Sequence, residues 1–225
     1  MTQNSINNTA AAFNDLSTTI DPGASGDSFI QFDINGTGEF RLGVDDDDGD
    51  SLKLSQGSAL GTNDTYVITS DGEITAPLNP AFLAYLGTTD SNVTGDGTIV
   101  TLGSGNALTE IYDQGGDFVT TGTFTAPITG RYRFDVSLRT TAQGTSNFFT
   151  VDFTTSNRVY ACLIVNPSPI KEPSSDSTSM SLAVLADMDA SDTCFVRMRL
   201  NGAGGKTAGI QSSNADTSFG GALVC

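Results

Sequence analysis

The chain has 225 residues, a formal net charge of −16 and 25 glycines, and it contains no histidine and no tryptophan. An acidic surface repels nucleic acid and anionic lipid, and no segment is long and apolar enough for a membrane span, so we expect neither nucleic-acid binding nor membrane insertion. Without histidine, Ser-His-Asp and Cys-His arrangements are excluded, and no carboxylate pair stands out, so we expect no enzyme activity.

The first segment, residues 1–27, is rich in Asn, Thr, Ala and Ser. We expect it to form an extended N-terminal arm that becomes ordered only against a neighbour. It has neither the basic start nor the apolar centre of a signal peptide, so we expect the protein to be made in a cytoplasm.

Residues 28–76 predict a thin acidic β stem. Apolar and polar residues alternate from Phe29 to Val44 around Asn35-Gly36, which is a strong hairpin signal because both residues tolerate a positive φ. Further short strands are predicted around Leu52–Leu54, Tyr66–Ile68 and Glu73–Thr75. Such short strands bury little surface within one chain, so we expect other copies of the chain to complete the sheet.

The stem contains a run of acidic residues that suggests calcium. Asp46, Asp48 and Asp50 stand at alternate positions, where carboxylates can converge on one ion. No EF-hand frame fits the run, and a solvated turn is the favoured explanation. Calcium is therefore the single cofactor considered, and otherwise none is expected.

A boundary is predicted where two prolines interrupt the chain between Ala76 and Phe82. Beyond it, residues 77–225 show short alternating strands at the spacing of an antiparallel sandwich or jelly roll. One strand, Arg158–Val165, is apolar on both faces and is predicted to be central in its sheet or at an interface. Cys162, Cys194 and Cys225 have apolar neighbours, which favours buried thiols, with a Cys162–Cys194 bridge as the alternative.

The most regular strand follows the turn at Pro127–Gly130. Its apolar residues, together with two from the closing segment, are predicted to pack in the core or at a trimer interface: Tyr132, Phe134, Val136, Leu138, Phe219 and Leu223. The polar face carries Arg131, Arg133 and Arg139, which are candidates for binding an acidic glycan or an acidic neighbour. The alternative for these arginines is a solvated face that balances nearby acids.

The head segment resembles the complement globular-head family of tumour-necrosis-factor-like jelly rolls. The resemblance covers residues 77–225 and rests on a Gly-x-Phe-x-x-Pro-x-x-Gly-x-Tyr-x-Phe core, here Gly122 to Phe134, and on a closing Phe-x-Gly, here Phe219 and Gly221. It implies an antiparallel jelly-roll head that assembles as a homotrimer, whereas the ligand does not carry over. The chain departs from the family at Ser191-Asp192, where a Gly-Asp turn is usual.

The stretch from Phe40 to Thr75 is similar to segments of bacteriophage tail-fibre and appendage proteins that precede trimeric heads. The resemblance implies a virion location, with the arm bound to other virion proteins and the head in contact with a glycan or protein of the host surface. A capsid decoration protein and a bacterial surface adhesin are the alternatives, and a glycan depolymerase is a further one.

Overall fold

The computed structural model describes residues 20, 22–23, 25–213 and 215–225. Most of the predicted arm, residues 1–27, therefore lies outside the described residues. The chain divides into two compact units, one ending at Pro77 and the other running from Leu78 to Cys225. We call them the N-terminal unit and the head. Both consist of antiparallel strands, so the predicted all-β class is confirmed.

The N-terminal unit is a five-stranded meander in which each strand pairs with the next along the chain. Its strands are β1 (Ser28–Ile34), β2 (Thr37–Asp45), β3 (Ser51–Gln56), β4 (Asp64–Ile68) and β5 (Ile74–Thr75). The predicted hairpin is confirmed, because Asn35 and Gly36 have φ angles of 54° and 78° between β1 and β2. Positive φ at both central residues is the geometry of a two-residue hairpin turn.

The head is a sandwich of two antiparallel sheets. The first sheet contains β6 (Ala81–Leu86), β7 (Asp90–Thr94), β9 (Leu108–Gln114), β12 (Gly130–Thr141), β15 (Thr178–Met188), β17 (Ala208–Ile210) and β18 (Ser218–Leu223). The second contains β8 (Ile99–Thr101), β10 (Phe118–Val119), β11 (Thr123–Thr125), β13 (Phe148–Thr155), β14 (Val159–Val165) and β16 (Thr193–Asn201).

The strand order defines a jelly roll. The principal strands run β6-β18-β12-β15 in the first sheet and β11-β16-β13-β14 in the second. The chain crosses repeatedly between the sheets, so that strands distant in sequence become neighbours, as in two interleaved Greek keys. The predicted jelly-roll head is confirmed by this order.

Alternating side chains of β12 form the centre of the head core. Tyr132, Phe134, Val136 and Leu138 are buried, and the Tyr132 hydroxyl donates a hydrogen bond to the carbonyl of Ile128, 2.8 Å away. That bond ties the strand to the turn before it. Aromatic rings from both sheets pack around these residues: Phe82, Phe118, Phe124, Phe149, Phe153 and Phe219.

One expectation about the strands of the head is corrected, and two strands were missed. The strand β14 lies at an edge of its sheet, where Ile164 is 65% exposed, so the prediction of a central position is wrong. Its apolar outward residues lack the covering layer that a two-sided apolar pattern normally indicates. The strands β7 and β17 were not predicted, because their sequences, DSNVT and AGI, are too short and too polar or small to show a periodic pattern.

The three cysteines are free thiols, so the alternative of a Cys162–Cys194 bridge is not formed. Cys194 is buried in the core, and burial raises the pKa of its thiol far above the ordinary value. Cys162 is half-buried, and Cys225 is exposed, which corrects the expectation that all three are buried.

Close packing explains the glycine of the closing Phe-x-Gly, Gly221, and gives a testable prediction. A Cβ atom on Gly221 would lie 2.5 Å from Cδ1 of Phe134 and 2.9 Å from Cε1 of Phe82, inside a dense aromatic core. Overpacking a core by one methyl group costs about 1–3 kcal/mol. We therefore expect Gly221→Ala to lower the free energy of unfolding of the head by that amount in urea titrations.

The matched control is Gly205→Ala, because a Cβ atom at Gly205 meets nothing within 4 Å. We expect this variant to unfold like the wild type. Equal stability of the two variants would show that close packing is not why glycine occupies position 221.

Candidate interaction surfaces

The N-terminal unit exposes one apolar face of its sheet. Strand pairing places Ile30, Leu42, Leu54 and Tyr66 in one row across four strands. On one side of this row lies a second row with Val44, Leu52, Ile68 and Ile74, and on the other side lies the pair Phe32 and Phe40. We call these ten residues together the apolar face. None of these side chains is charged and none is buried, and exposure reaches 50% at Ile30 and 60% at Ile74.

The opposite face of the same sheet is closed by its own chain. Leu60 in the loop between β3 and β4 and Val67 on β4 are buried there. The Lys53 side chain, only 4% exposed, lies among three carboxylates, with its Nζ 2.8 Å from Asp45, 2.6 Å from Asp48 and 3.3 Å from Asp64. The side chains left uncovered by the chain itself are therefore those of the apolar face.

The Lys53 ammonium keeps its charge although its side chain is buried. Burial by itself lowers the pKa of the Lys53 ammonium, but hydrogen bonds to Asp45, Asp48 and Asp64 outweigh it and hold the pKa above its usual value. Asp64 also accepts hydrogen bonds from the Ser55 hydroxyl at 2.5 Å and the Gly61 amide at 3.1 Å. The sequence shows the acidic run but not that Lys53 lies among its carboxylates, because the pairing of β2 with β3 brings Lys53 there.

The candidate calcium ligands lie in and directly after the acidic turn that contributes Asp48 to the Lys53 cluster. Asp46 and Asp48 belong to a 3₁₀ turn, Asp48 is bound to Lys53, and Asp50 follows with a φ of 57°. No group of three or more acidic, Cys or His side chains is arranged to hold a metal ion within the part of the chain that the structure describes. Calcium at Asp46, Asp48 and Asp50 thus stays a prediction.

The predicted arginines of β12 point away from the head core. Arg133 is paired with Asp135 at 3.0 Å and Arg139 with Asp216 at 3.2 Å, while Arg131 is exposed. Two of the three candidates therefore have a carboxylate partner already, and the structure does not bring the three together at one cavity.

The other candidate packing residues of the head lie around the same strand. Phe219 is fully buried, whereas Leu223 is half-buried and packs against the core from β18. Buried residues such as Phe219 stabilise the single chain and offer no surface to a partner.

Small residues on β18 open a hollow on the outward face of the first sheet. Gly220 and Ala222 lie between Leu83 and Tyr112 on one side and the Arg133–Asp135 pair on the other. The cavity measures about 530 Å³. Its walls are partly apolar, and Tyr112 is half exposed, which is typical of a surface that receives a neighbour's side chains.

A second groove lies on the outward face of the second sheet. Its lining comes from β8, β13, β14 and β16, with Ile99, Phe148, Thr150, Asp152, Ile164, Met198 and Arg199. The sequence does not single out this site, because its residues are far apart in the chain. The available signal was the arginine pair in "FVRMRL", where Arg197 and Arg199 share the outward face of β16.

No protein-family model and no curated protein sequence matches the chain. Among solved structures, it is similar to murine APRIL at pH 8.0, with 11% identity and a TM-score of 0.45 over 65% of this chain and 99% of that chain. It is also similar to the globular domain of zebrafish complement 1qA protein, with 17% identity and a TM-score of 0.42 over 65% of this chain and 98% of that one. Within the described residues, no helix has the length and hydropathy of a membrane span.

The Lys53 cluster yields a prediction about stability. Replacing Lys53 with Met leaves two buried carboxylates, Asp45 and Asp64, without a counter-charge, which costs about 3 kcal/mol. We expect the N-terminal unit to lose this much stability at pH 7. Because the folded state raises the pKa of Lys53 above its ordinary value of 10.5, the contribution of Lys53 to stability is present below that pH and fades above it, so the loss should shrink as the pH rises beyond 10.5.

Arg41→Met is the control, because it removes the same charge from the same face. Arg41 stacks on Phe29 at 4.1 Å and bonds to Gln31 but holds no buried carboxylate, so we expect a loss of about 1 kcal/mol or less without the pH dependence. Thermal unfolding at several pH values measures both. An identical pH profile in the two variants would contradict the account of the cluster.

Proposed function

We propose that this protein is a non-enzymatic, homotrimeric structural protein of a bacteriophage particle. Its N-terminal arm anchors it to other virion proteins, and its jelly-roll head contacts the host surface. It is made in the host cytoplasm and resides in the virion. The observation that carries the proposal is the exposed, uncharged apolar face of the N-terminal unit.

An apolar face of this extent needs a partner. Contiguous exposed apolar patches are small on soluble monomers, and larger ones mark interaction sites. Here apolar side chains fill one row across four strands of the sheet and four of the five positions in the next row. Association is the arrangement in which their burial stabilises the protein.

Other copies of the chain are the partners that fit this face. Residues 1–76 hold 13 acidic and 2 basic residues, a net charge of −11. A basic partner would be drawn to the acidic surfaces rather than to a face without charge, and an anionic membrane would be repelled. A second copy offers the same uncharged face, so the apolar side chains of the two copies pack against each other. The carboxylates then stay in contact with solvent.

Three copies are supported by the resemblance of the head to tumour-necrosis-factor-like jelly rolls. A three-fold arrangement also closes the apolar faces around one axis, which satisfies the preference of homo-oligomers for closed symmetry. The hollow beside Gly220 offers each head a place for a neighbour's side chains. The N-terminal unit and the head thus favour the same association.

The virion role is supported by the similarity of the stretch from Phe40 to Thr75 to phage tail-fibre segments. A strongly acidic surface also keeps closely spaced copies soluble. Immunogold electron microscopy of the purified particle tests this role. Label at fixed positions on the particle is expected, and absence of the protein from purified particles would overturn the proposal.

A capsid decoration protein is the second candidate, and the short N-terminal unit favours it. Five short strands end at Thr75, which suits a compact trimer on a shell better than a long fibre. Quantitative mass spectrometry of the particle separates the two roles. A decoration protein approaches the copy number of the capsid subunits, whereas a tail fibre is present in few copies.

The apolar face yields a test of self-association. Leu42→Glu places a carboxylate in the central row of the face, and burying an unpaired charge costs several kcal/mol. A loss of about 3 kcal/mol corresponds to a roughly 100-fold higher dissociation constant of the trimer. Sedimentation velocity over a dilution series measures this constant.

Ile170→Glu is the control, because Ile170 is comparably exposed but lies in a loop of the head. It adds the same charge outside the apolar face, so its dissociation constant should equal that of the wild type. Circular dichroism of both variants verifies that they are folded. A folded Leu42→Glu variant with wild-type association would contradict an interface on this face.

A further inference from the structure

The groove on the second sheet contains Arg199, which has no carboxylate partner among the described residues. Arg199 lies opposite Ile99 on one neighbouring strand and Thr150 on the other, and its guanidinium stacks over the Phe148 ring at 4.9 Å. In the described part of the chain, no carboxylate lies within ion-pair distance of Arg199, whereas Arg197 beside it is paired with Asp152 at 3.6 Å.

The burial of Arg199 distinguishes it from other unpaired arginines of the head. Arg131 and Arg158 are exposed to solvent, but Arg199 is half-buried within the groove. Its Nε atom is buried and has no hydrogen-bond partner. Since a buried, unbonded donor is unfavourable, the guanidinium depends on its terminal Nη groups for hydrogen bonding, and stacking on Phe148 fixes the plane in which they donate.

The surroundings of Arg199 combine polar and apolar groups. Thr150 supplies a hydroxyl, and Asp152 supplies carboxylate oxygens that accept hydrogen bonds. The apolar side chains of Ile99 and Ile164, 54% and 65% exposed, line the same groove. The cavity of about 270 Å³ is just below the size range of small-molecule sites, about 300–1,000 Å³. It suits one or two rings of a larger ligand rather than a whole drug-sized molecule.

We propose that this groove binds an acidic saccharide, with the sugar carboxylate held by Arg199. A planar guanidinium matches a carboxylate with two parallel hydrogen bonds. The sugar hydroxyls bond to Thr150 and Asp152, and its C–H faces contact Ile99 and Ile164. The net charge of −16 opposes densely charged polyanions, so a single carboxylate among hydroxyl groups fits the site better.

This inference rests on the proposed function, because it names the class of host-surface ligand that the head would contact. Association through the apolar face does not involve Arg199. The two proposals therefore fail separately, since trimer dissociation reports one and saccharide binding the other.

The test is isothermal titration calorimetry of the full chain with oligosaccharides ending in glucuronate, galacturonate or sialate. Each is compared with its carboxyl-reduced counterpart, which differs only at the acidic group. We expect at least one acidic probe to bind about tenfold or more tightly than its reduced form. The affinity for that probe should fall as the salt concentration rises.

Three variants locate the binding. Arg199→Ala should weaken binding of the acidic probe about tenfold or more, and Arg199→Lys should restore only part of it, because lysine keeps the charge but loses the planar fork. Arg158→Ala is the matched control, because it removes an exposed arginine just before β14, outside the groove, and should bind like the wild type.

Three results would overturn the proposal. The first is that no acidic probe binds more tightly than its reduced form, and the second is that folded Arg199→Ala binds like the wild type. The third is that a poly-glutamate peptide matches the best saccharide, which would assign the groove to an acidic protein partner instead.

Discussion

A single-layer sheet has two faces, and the N-terminal unit covers only one of them with its own chain. The loop between β3 and β4 closes the charged face, where Lys53 neutralises part of the acidic cluster around Asp45 and Asp64. The other face displays apolar side chains without a charge among them. One face of this sheet is therefore covered within the chain and the other is not, and the proposed self-association is built on this difference.

Much of the fold could be predicted from local patterns. Alternation in β12, the Asn35-Gly36 turn and the spacing of the strands are short-range signals that carry directly into structure. The sequence does not show why residue 221 is a glycine. The reason is its close approach to Phe134, which depends on the pairing of β18 with β12.

What could not be predicted depends on contacts between distant segments. An apolar strand such as β14 has the same sequence pattern whether it is central or at an edge, and only the sheet order decides. The ion pair of Arg139 with Asp216 and the groove around Arg199 assemble from residues far apart in the chain. The candidate arginines of β12 were visible because they alternate, whereas Arg199 gains its properties from Phe148 and Thr150 on another strand.

The measurement that tests self-association most directly is a high-resolution structure of the full chain in its solution oligomer, by electron cryomicroscopy or crystallography. The account predicts three copies with Ile30, Leu42, Leu54 and Tyr66 of each copy packed around one three-fold axis. An oligomer in which these side chains remain open to solvent, or a chain that stays monomeric at the concentrations used, would contradict it.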